Sequence, residues 1–245
     1  RQGVFPISNS TTLSLENGDW EKEASVLMNK LEEASGYKLS FSDSSSNNCI
    51  RLKTNGNLEE EGYEIEVDDK QILLSAATEK GMFYAIQTLF QLLPAEIESA
   101  KPLKMELSVP AVKIADHPRF SYRGVMIDVS RHFFTVEELK KQISVMAMLK
   151  LNRLHLHLTD NQGWRIAIDK YPQLVECSAV QETYNEELYG PCYYTKEDIK
   201  ELVAYAGRHH IEVIPEIEFP SLNCHAVADL LKVNRSLAMK RMSFV

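Results

Sequence analysis

Between Pro118 and Arg165 the chain twice runs an apolar strand core into a cluster of polar residues capable of chemistry. The first is Tyr-Arg-Gly-Val-Met-Ile-Asp-Val-Ser-Arg-His-Phe-Phe (122–134). The second is Asn-Arg-Leu-His-Leu-His-Leu-Thr-Asp-Asn-Gln-Gly-Trp-Arg (152–165). Thr135 to Lys150, between them, has helical periodicity. Strand, helix, strand, with the polar residues at the carboxyl end of each strand, is how an α/β barrel lines its mouth. The order then continues through a long loop to a helix over Lys196–His209 and a strand over Ile211–Ile217. Such alternation predicts parallel strands joined by right-handed crossovers. Three strands do not close a barrel, and an eight-stranded one takes about 250 residues. Pro118 already lies near the middle of the 245.

The expectation is therefore an α/β fold: a partial TIM (β/α)8 barrel, its first three βα units, over residues 116–220. Residues 1–115 read as a smaller α+β domain. Trp20 to Ser35 is a helix, with Ala24, Leu27, Met28 and Leu31 at three- and four-residue steps and Gly36 as its stop. After the polar loop Ser42–Asn48 come strand candidates Cys49–Lys53, Tyr63–Val67 and Gln71–Ala76, with Asp68-Asp69 as the turn of a hairpin. A second helix, Thr78 to Leu93, is closed by Pro94, and Val109 to Ile114 is one more strand. Two helices on one face of an antiparallel sheet is the economical arrangement. No residue of this part has an evident catalytic partner, so it reads as a structural or docking domain.

Composition narrows the function. A 44% apolar and 25% charged chain is globular, and a net charge of −8 without a basic cluster argues against nucleic acid. No apolar run is long enough for a membrane span. An opening of Arg-Gln-Gly-Val suits a trimmed chain or a mature product of the periplasm, the extracellular space or another secretory compartment. The cysteines (Cys49, Cys177, Cys192, Cys224) have no metal spacing. Cys177 and Cys192 bracket one polar loop, and either pair there or stay as thiols.

The chemistry-bearing residues each allow more than one reading. Arg131 follows Asp128 just past a strand. Its fork of donors suits the vicinal hydroxyls of a sugar, or pairs with Asp128 to stabilise a rim. His155 and His157 share a strand face. They are a metal pair only if further ligands exist, and otherwise they are structural or orient substrate. Asp160 near Trp164 suits a sugar, with the indole stacking on C–H faces, although Asp-x-x-Gly is also ordinary turn chemistry. Glu216 and Glu218, alternating at the third strand's end, are candidates to line the pocket. No metal or other cofactor is expected.

Three segments, 122–134, Leu-His-Leu-His-Leu-Thr-Asp-Asn-Gln-Gly-Trp-Arg and Val-Ile-Pro-Glu-Ile-Glu-Phe-Pro, resemble the family-20 glycoside hydrolases, the β-N-acetylhexosaminidases. The likeness covers nearly all of residues 1–220, and the first domain resembles that family's non-catalytic α/β domain. The resemblance implies hydrolysis of terminal non-reducing N-acetylglucosamine or N-acetylgalactosamine from a glycan or glycoconjugate, with retention of configuration. The substrate's own acetamido oxygen attacks the anomeric carbon. An Asp steadies that group and the adjacent Glu protonates the leaving oxygen. Arg131 matches the arginine that grips sugar hydroxyls, and Asp160 the carboxylate that supports the acid through a histidine relay. Asp128, His157, Trp164 and Glu216 are expected to support them.

The chain also departs from that pattern. No Asp-Glu dipeptide follows Ile217, and the aromatic wall of the acetamido pocket is missing. Where the family continues Pro-Gly-His, this chain has Pro-Ser-Leu-Asn-Cys-His, which makes His225 a candidate for a displaced relay histidine. Codon degeneracy allows Ser221–Val245 to be an out-of-frame reading of a family-like segment, a tail of other origin being the alternative. The polypeptide by itself is then expected to be inactive. The rival expectation is a non-catalytic carbohydrate-binding or scaffold fragment. Oligomeric state is not indicated.

Overall fold

The computed structural model describes residues 3–42, 47–99, 101–103, 106–179, 181–182 and 188–217, with 177, 178, 181, 182, 188 and 189 described by backbone alone. The chain divides into two compact units, Arg1–Ser121 and Tyr122–Val245. Glu218, His225 and the whole segment 221–245 lie outside the described residues, as does the Cys177 side chain.

The first unit runs β1 (Val4–Ile7), β2 (Thr12–Glu16), α1 (Glu21–Ser35), β3 (Ser40–Phe41), β4 (Cys49–Thr54), β5 (Tyr63–Val67), β6 (Gln71–Ala76), α2 (Glu79–Leu92), β7 (Leu107–Pro110) and β8 (Lys113–Asp116). Six strands form one sheet in the order β3-β2-β4-β6-β5-β8. The sheet is mixed, which corrects the antiparallel expectation: β3, β2, β4 and β6 are parallel, and β5 alone runs against them and against β8. Direction follows connection. Helix α1 carries the chain from β2 back to start β4 in the same sense, as a helical crossover must. The hairpin from β5 to β6 turns on Asp68, whose Oδ1 accepts the N–H groups of Lys70 (2.8 Å) and Gln71 (2.9 Å).

The single strand expected over Val109–Ile114 is two. Pro110 offers no N–H to a ladder, so β7 ends there against β1, and the chain restarts as β8 against β5. Leu13, Ile50, Leu52, Ile65, Ile72 and Leu74 are fully buried in the sheet. Helix α1 buries Ala24, Leu27, Leu31 and Ala34 along one stripe and stops at Gly36, whose left-handed φ of 77° donates its N–H to Glu32.

The second unit holds β9 (Gly124–Asp128), α3 (Val136–Met148), β10 (Arg153–His157), β11 (Thr159–Asp160), β12 (Gly163–Trp164), α4 (Gln173–Ser178), β13 (Gln181–Glu182), β14 (Leu188–Tyr189), α5 (Lys196–Arg208) and β15 (Glu212–Glu216). Strands β9, β10 and β15 form a parallel sheet with β10 central. Both long helices start on capping boxes: Thr135 with Glu138, and Thr195 with Asp198. Both end alike. Lys150 and His210 take a left-handed φ of 55°, and the following N–H reaches back to Met146 or Ala206. Leu139, Ile143, Met146 and Ala147 of α3 are buried, as are Leu154 and Leu156 of β10. The sheet is open: the described residues close no barrel, and the edge strand β9 leaves Met126 55% exposed.

Candidate functional site

Parallel in-register pairing sets three polar side chains in one row. Asp128 of β9 is level with His157 of β10, and His157 is level with Glu216 of β15. Level residues of a parallel sheet share a face, so all three project from the same side at the strands' carboxyl ends. The chain after β9 then turns on Asp128, whose Oδ1 accepts the N–H groups of Ser130 (3.1 Å) and Arg131 (3.0 Å). That turn brings the Arg131 guanidinium back over the row.

Arg131 lies between two carboxylates. Its Nη1 is 2.6 Å from Asp128 Oδ2 and its Nη2 is 2.5 Å from Asp160 Oδ2. Underneath, the buried His157 ring spans the same pair, with Nδ1 3.2 Å from Asp128 Oδ1 and Nε2 3.6 Å from Asp160 Oδ2. Asp160 Oδ1 also accepts the Asn161 N–H at 2.6 Å. Burial pushes the Asp128 carboxyl up, but the Arg131 guanidinium and backbone N–H outweigh it and hold the carboxyl below its ordinary value of 3.8. The Arg131 side chain remains 53% exposed, so this fork of donors is reachable by a ligand from solvent.

His155 and Glu216 meet separately, Nε2 to Oε2 at 2.8 Å, on the same face. The arrangement thus brings together Asp128, Arg131, His157 and Asp160, with the His155–Glu216 pair one step along. Among the described residues no group of three or more His, Cys, Asp or Glu is placed to hold a metal ion. No helix among them is long and apolar enough to cross a membrane.

Trp164 does not stack where a sugar would enter, which corrects that expectation. Its indole is 3% exposed and packs with Leu174, Ile166, Ile168 and Val175, and its Nε1 donates to the Ile166 carbonyl at 2.8 Å. A large ring on a two-residue strand gains more from burial beneath the loop than from the mouth. The neighbouring Arg165 carries no site signature in the sequence, yet it is fully buried beside the site. Cys192 is buried, and burial raises its thiol pKa.

Comparison with known proteins follows the two units. The profile of glycosyl hydrolase family 20, domain 2, matches residues 1–117, and that of the family's catalytic domain matches residues 120–243. A beta-hexosaminidase of Porphyromonas gingivalis is 40% identical over 92% of this chain, and one of Vibrio furnissii is 36% identical over 93%. The chain spans only 29% and 37% of those relatives. A crystal structure of an exo beta-N-acetylglucosaminidase from Vibrio harveyi, bound to N-acetylglucosamine, superposes with a TM-score of 0.82 at 33% identity. It covers 95% of this chain and 36% of its own. A mutant Streptomyces plicatus beta-hexosaminidase bound to the same sugar as product gives 0.83 at 35% identity, over 93% and 45%.

Proposed function

The chain belongs to the family-20 glycosyl hydrolases, and we propose that its Arg131–Asp160 pair grips the hydroxyls of a terminal, non-reducing N-acetylhexosamine. The reaction served is that of an exo-acting β-N-acetylhexosaminidase working on a glycan or glycoconjugate. The observation that carries this reading is the solvent-reachable guanidinium held between Asp128 and Asp160 at the carboxyl ends of parallel strands. A fixed fork beside a carboxylate offers donors and acceptors together, which vicinal hydroxyls require. Two of the similar solved proteins hold N-acetylglucosamine, in line with that ligand class.

The three parallel strands with α3 and α5 are read as the opening units of a TIM barrel. In the proposed reaction the acetamido oxygen of the substrate displaces the leaving group, and a second displacement by water gives net retention. Asp160 serves as a supporting carboxylate. His157 and Asp128 hold Asp160 and Arg131 in place, and Glu216 lies further along the same row.

The 245-residue polypeptide by itself is proposed to turn over little or no substrate, because no Asp-Glu dipeptide follows Ile217 to supply the acetamido-steadying acid and the proton donor. Loss of general acid catalysis alone costs roughly 10²–10⁴-fold in rate. The second reading, a carbohydrate-binding fragment without turnover, is favoured by that same gap beside an intact Arg131 clamp. A chromogenic N-acetylglucosaminide assay run beside a titration with free N-acetylglucosamine decides. The expected result is saturable binding with negligible turnover. Turnover at ordinary enzymatic rates overturns the proposed inactivity, and absence of binding overturns the site.

A further inference from the structure

A second guanidinium lies beneath the exposed pair. Arg165 is fully buried, and its fork holds three chain segments at once. Nη2 donates to the Ser130 carbonyl at 2.9 Å and to the Gln162 carbonyl at 3.4 Å, while Nη1 donates to the Cys192 carbonyl at 3.1 Å. The Arg165 backbone is fixed as well: its N–H donates to Leu158 at 2.9 Å and its carbonyl accepts the Tyr194 N–H at 2.7 Å. The guanidinium carbon sits 5.9 Å from the centre of the Phe133 ring.

The segments it joins are the ones that carry the site. Ser130 immediately precedes Arg131, and Gln162 lies on the hairpin tip just after Asp160. A second tie doubles the first: the buried Ser130 Oγ donates to the Gly163 carbonyl at 2.7 Å. Gly163 is required there, since a Cβ at that position would collide with the Arg165 guanidinium carbon. Burying a guanidinium is costly, and packing alone is served as well by a methionine or leucine. What an apolar residue cannot supply is a planar set of donors aimed at several carbonyls. Lysine, with one compact ammonium, cannot reproduce those directions either.

We infer that Arg165 is a positioning residue for the sugar site: it latches the loop carrying Arg131 to the hairpin carrying Asp160, so that the two groups face each other before any ligand arrives. Its consequence for binding rests on the function proposed above, but the latch itself is measurable without sugar. The experiment is Arg165→Lys in the full chain, followed by amide hydrogen exchange and by titration with N-acetylglucosamine. Exchange at the Arg131 and Asn161 amides is expected to quicken together while α3 and α5 keep their protection. Affinity is expected to fall about tenfold or more, the effect of losing one charged hydrogen bond's free energy. In Arg165→Ala, added guanidinium ion is expected to restore affinity where ammonium does not.

Wild-type exchange and affinity in Arg165→Lys overturn the latch. Should that variant fail to fold, Arg165→Gln keeps a planar but smaller, uncharged donor: faster exchange at the same two amides supports the latch, and wild-type exchange overturns it. A wild-type chain with both amides protected but no affinity for the sugar counts against the functional reading and leaves the latch standing.

Discussion

In the unit formed by residues 3–116 the buried side chains along the sheet are mostly aliphatic, the charged pair Lys113–Glu66 stays toward solvent, and Arg51–Glu16 is half-buried. Both units bury polar residues, Glu23, Ser75, Gln87 and Thr88 in the first. In the unit beginning at Tyr122 buried polar residues gather at the site: Arg165 bonds to Ser130, and His157 lies beside Asp160. A core of Leu13, Ile50, Leu52, Ile65, Ile72 and Leu74 gains stability directly from area removed from water. A polar hub gains little net free energy for its desolvation, so its presence points to a task that needs fixed charges. The contrast separates a part whose sequence is spent on packing from a part whose sequence is spent on geometry.

Substitutions can break that contrast. Leu74→Ala in the first unit is expected to cost about 2–5 kcal/mol of stability by denaturant unfolding, as buried leucines do, with sugar binding retained wherever the chain stays folded. Acid titration is expected to separate the units by sign. Burial raises the Glu23 carboxyl above its ordinary value of 4.5, so folding binds its proton more tightly and Glu23 weakens the fold as pH rises through that raised value. Glu23→Gln should therefore raise the melting temperature at neutral pH. Asp128 has the opposite sign. Its lowered value means that its stabilising contribution is present above the unfolded value and is lost as pH falls through the folded one. Asp128→Asn should lower the melting temperature at neutral pH and flatten its decline below about pH 4. Smallest is Lys150→Gly, where relief of the left-handed φ of 55° should add up to about 1 kcal/mol, offset in part by glycine's larger unfolded-state entropy.

The second unit was largely legible in the sequence because its signals are local. Thr135 with Glu138 marks a helix start, and the apolar cores of β9, β10 and β15 end in the polar residues that the structure sets in a row. Arg131 and Asp160 were both readable as site candidates because each directly follows a strand. Their pairing was not, since it depends on the turn at Asp128 and on the hairpin at 159–164. The first unit was legible in its helices but not in its sheet. Thr12–Glu16 alternates as a strand should, yet its parallel pairing with Cys49–Thr54 is set by a crossover through α1, a non-local matter. Trp164 misled because an indole beside a carboxylate has the same sequence signature whether it faces a ligand or a loop. Arg165 gave no signal because a buried arginine bound to carbonyls has no charged partner at fixed spacing to reveal it.

The most direct test of the sugar site is calorimetric titration of the wild-type chain and of Arg131→Ala with N-acetylglucosamine, with the folded state of each checked by circular dichroism. Removing a charged donor set of this kind costs about 1.5–3 kcal/mol, roughly a ten- to hundredfold weaker dissociation constant. Saturable binding in the wild type that is lost to at least that extent in a folded Arg131→Ala is the predicted result. Equal affinity in the two proteins would contradict it.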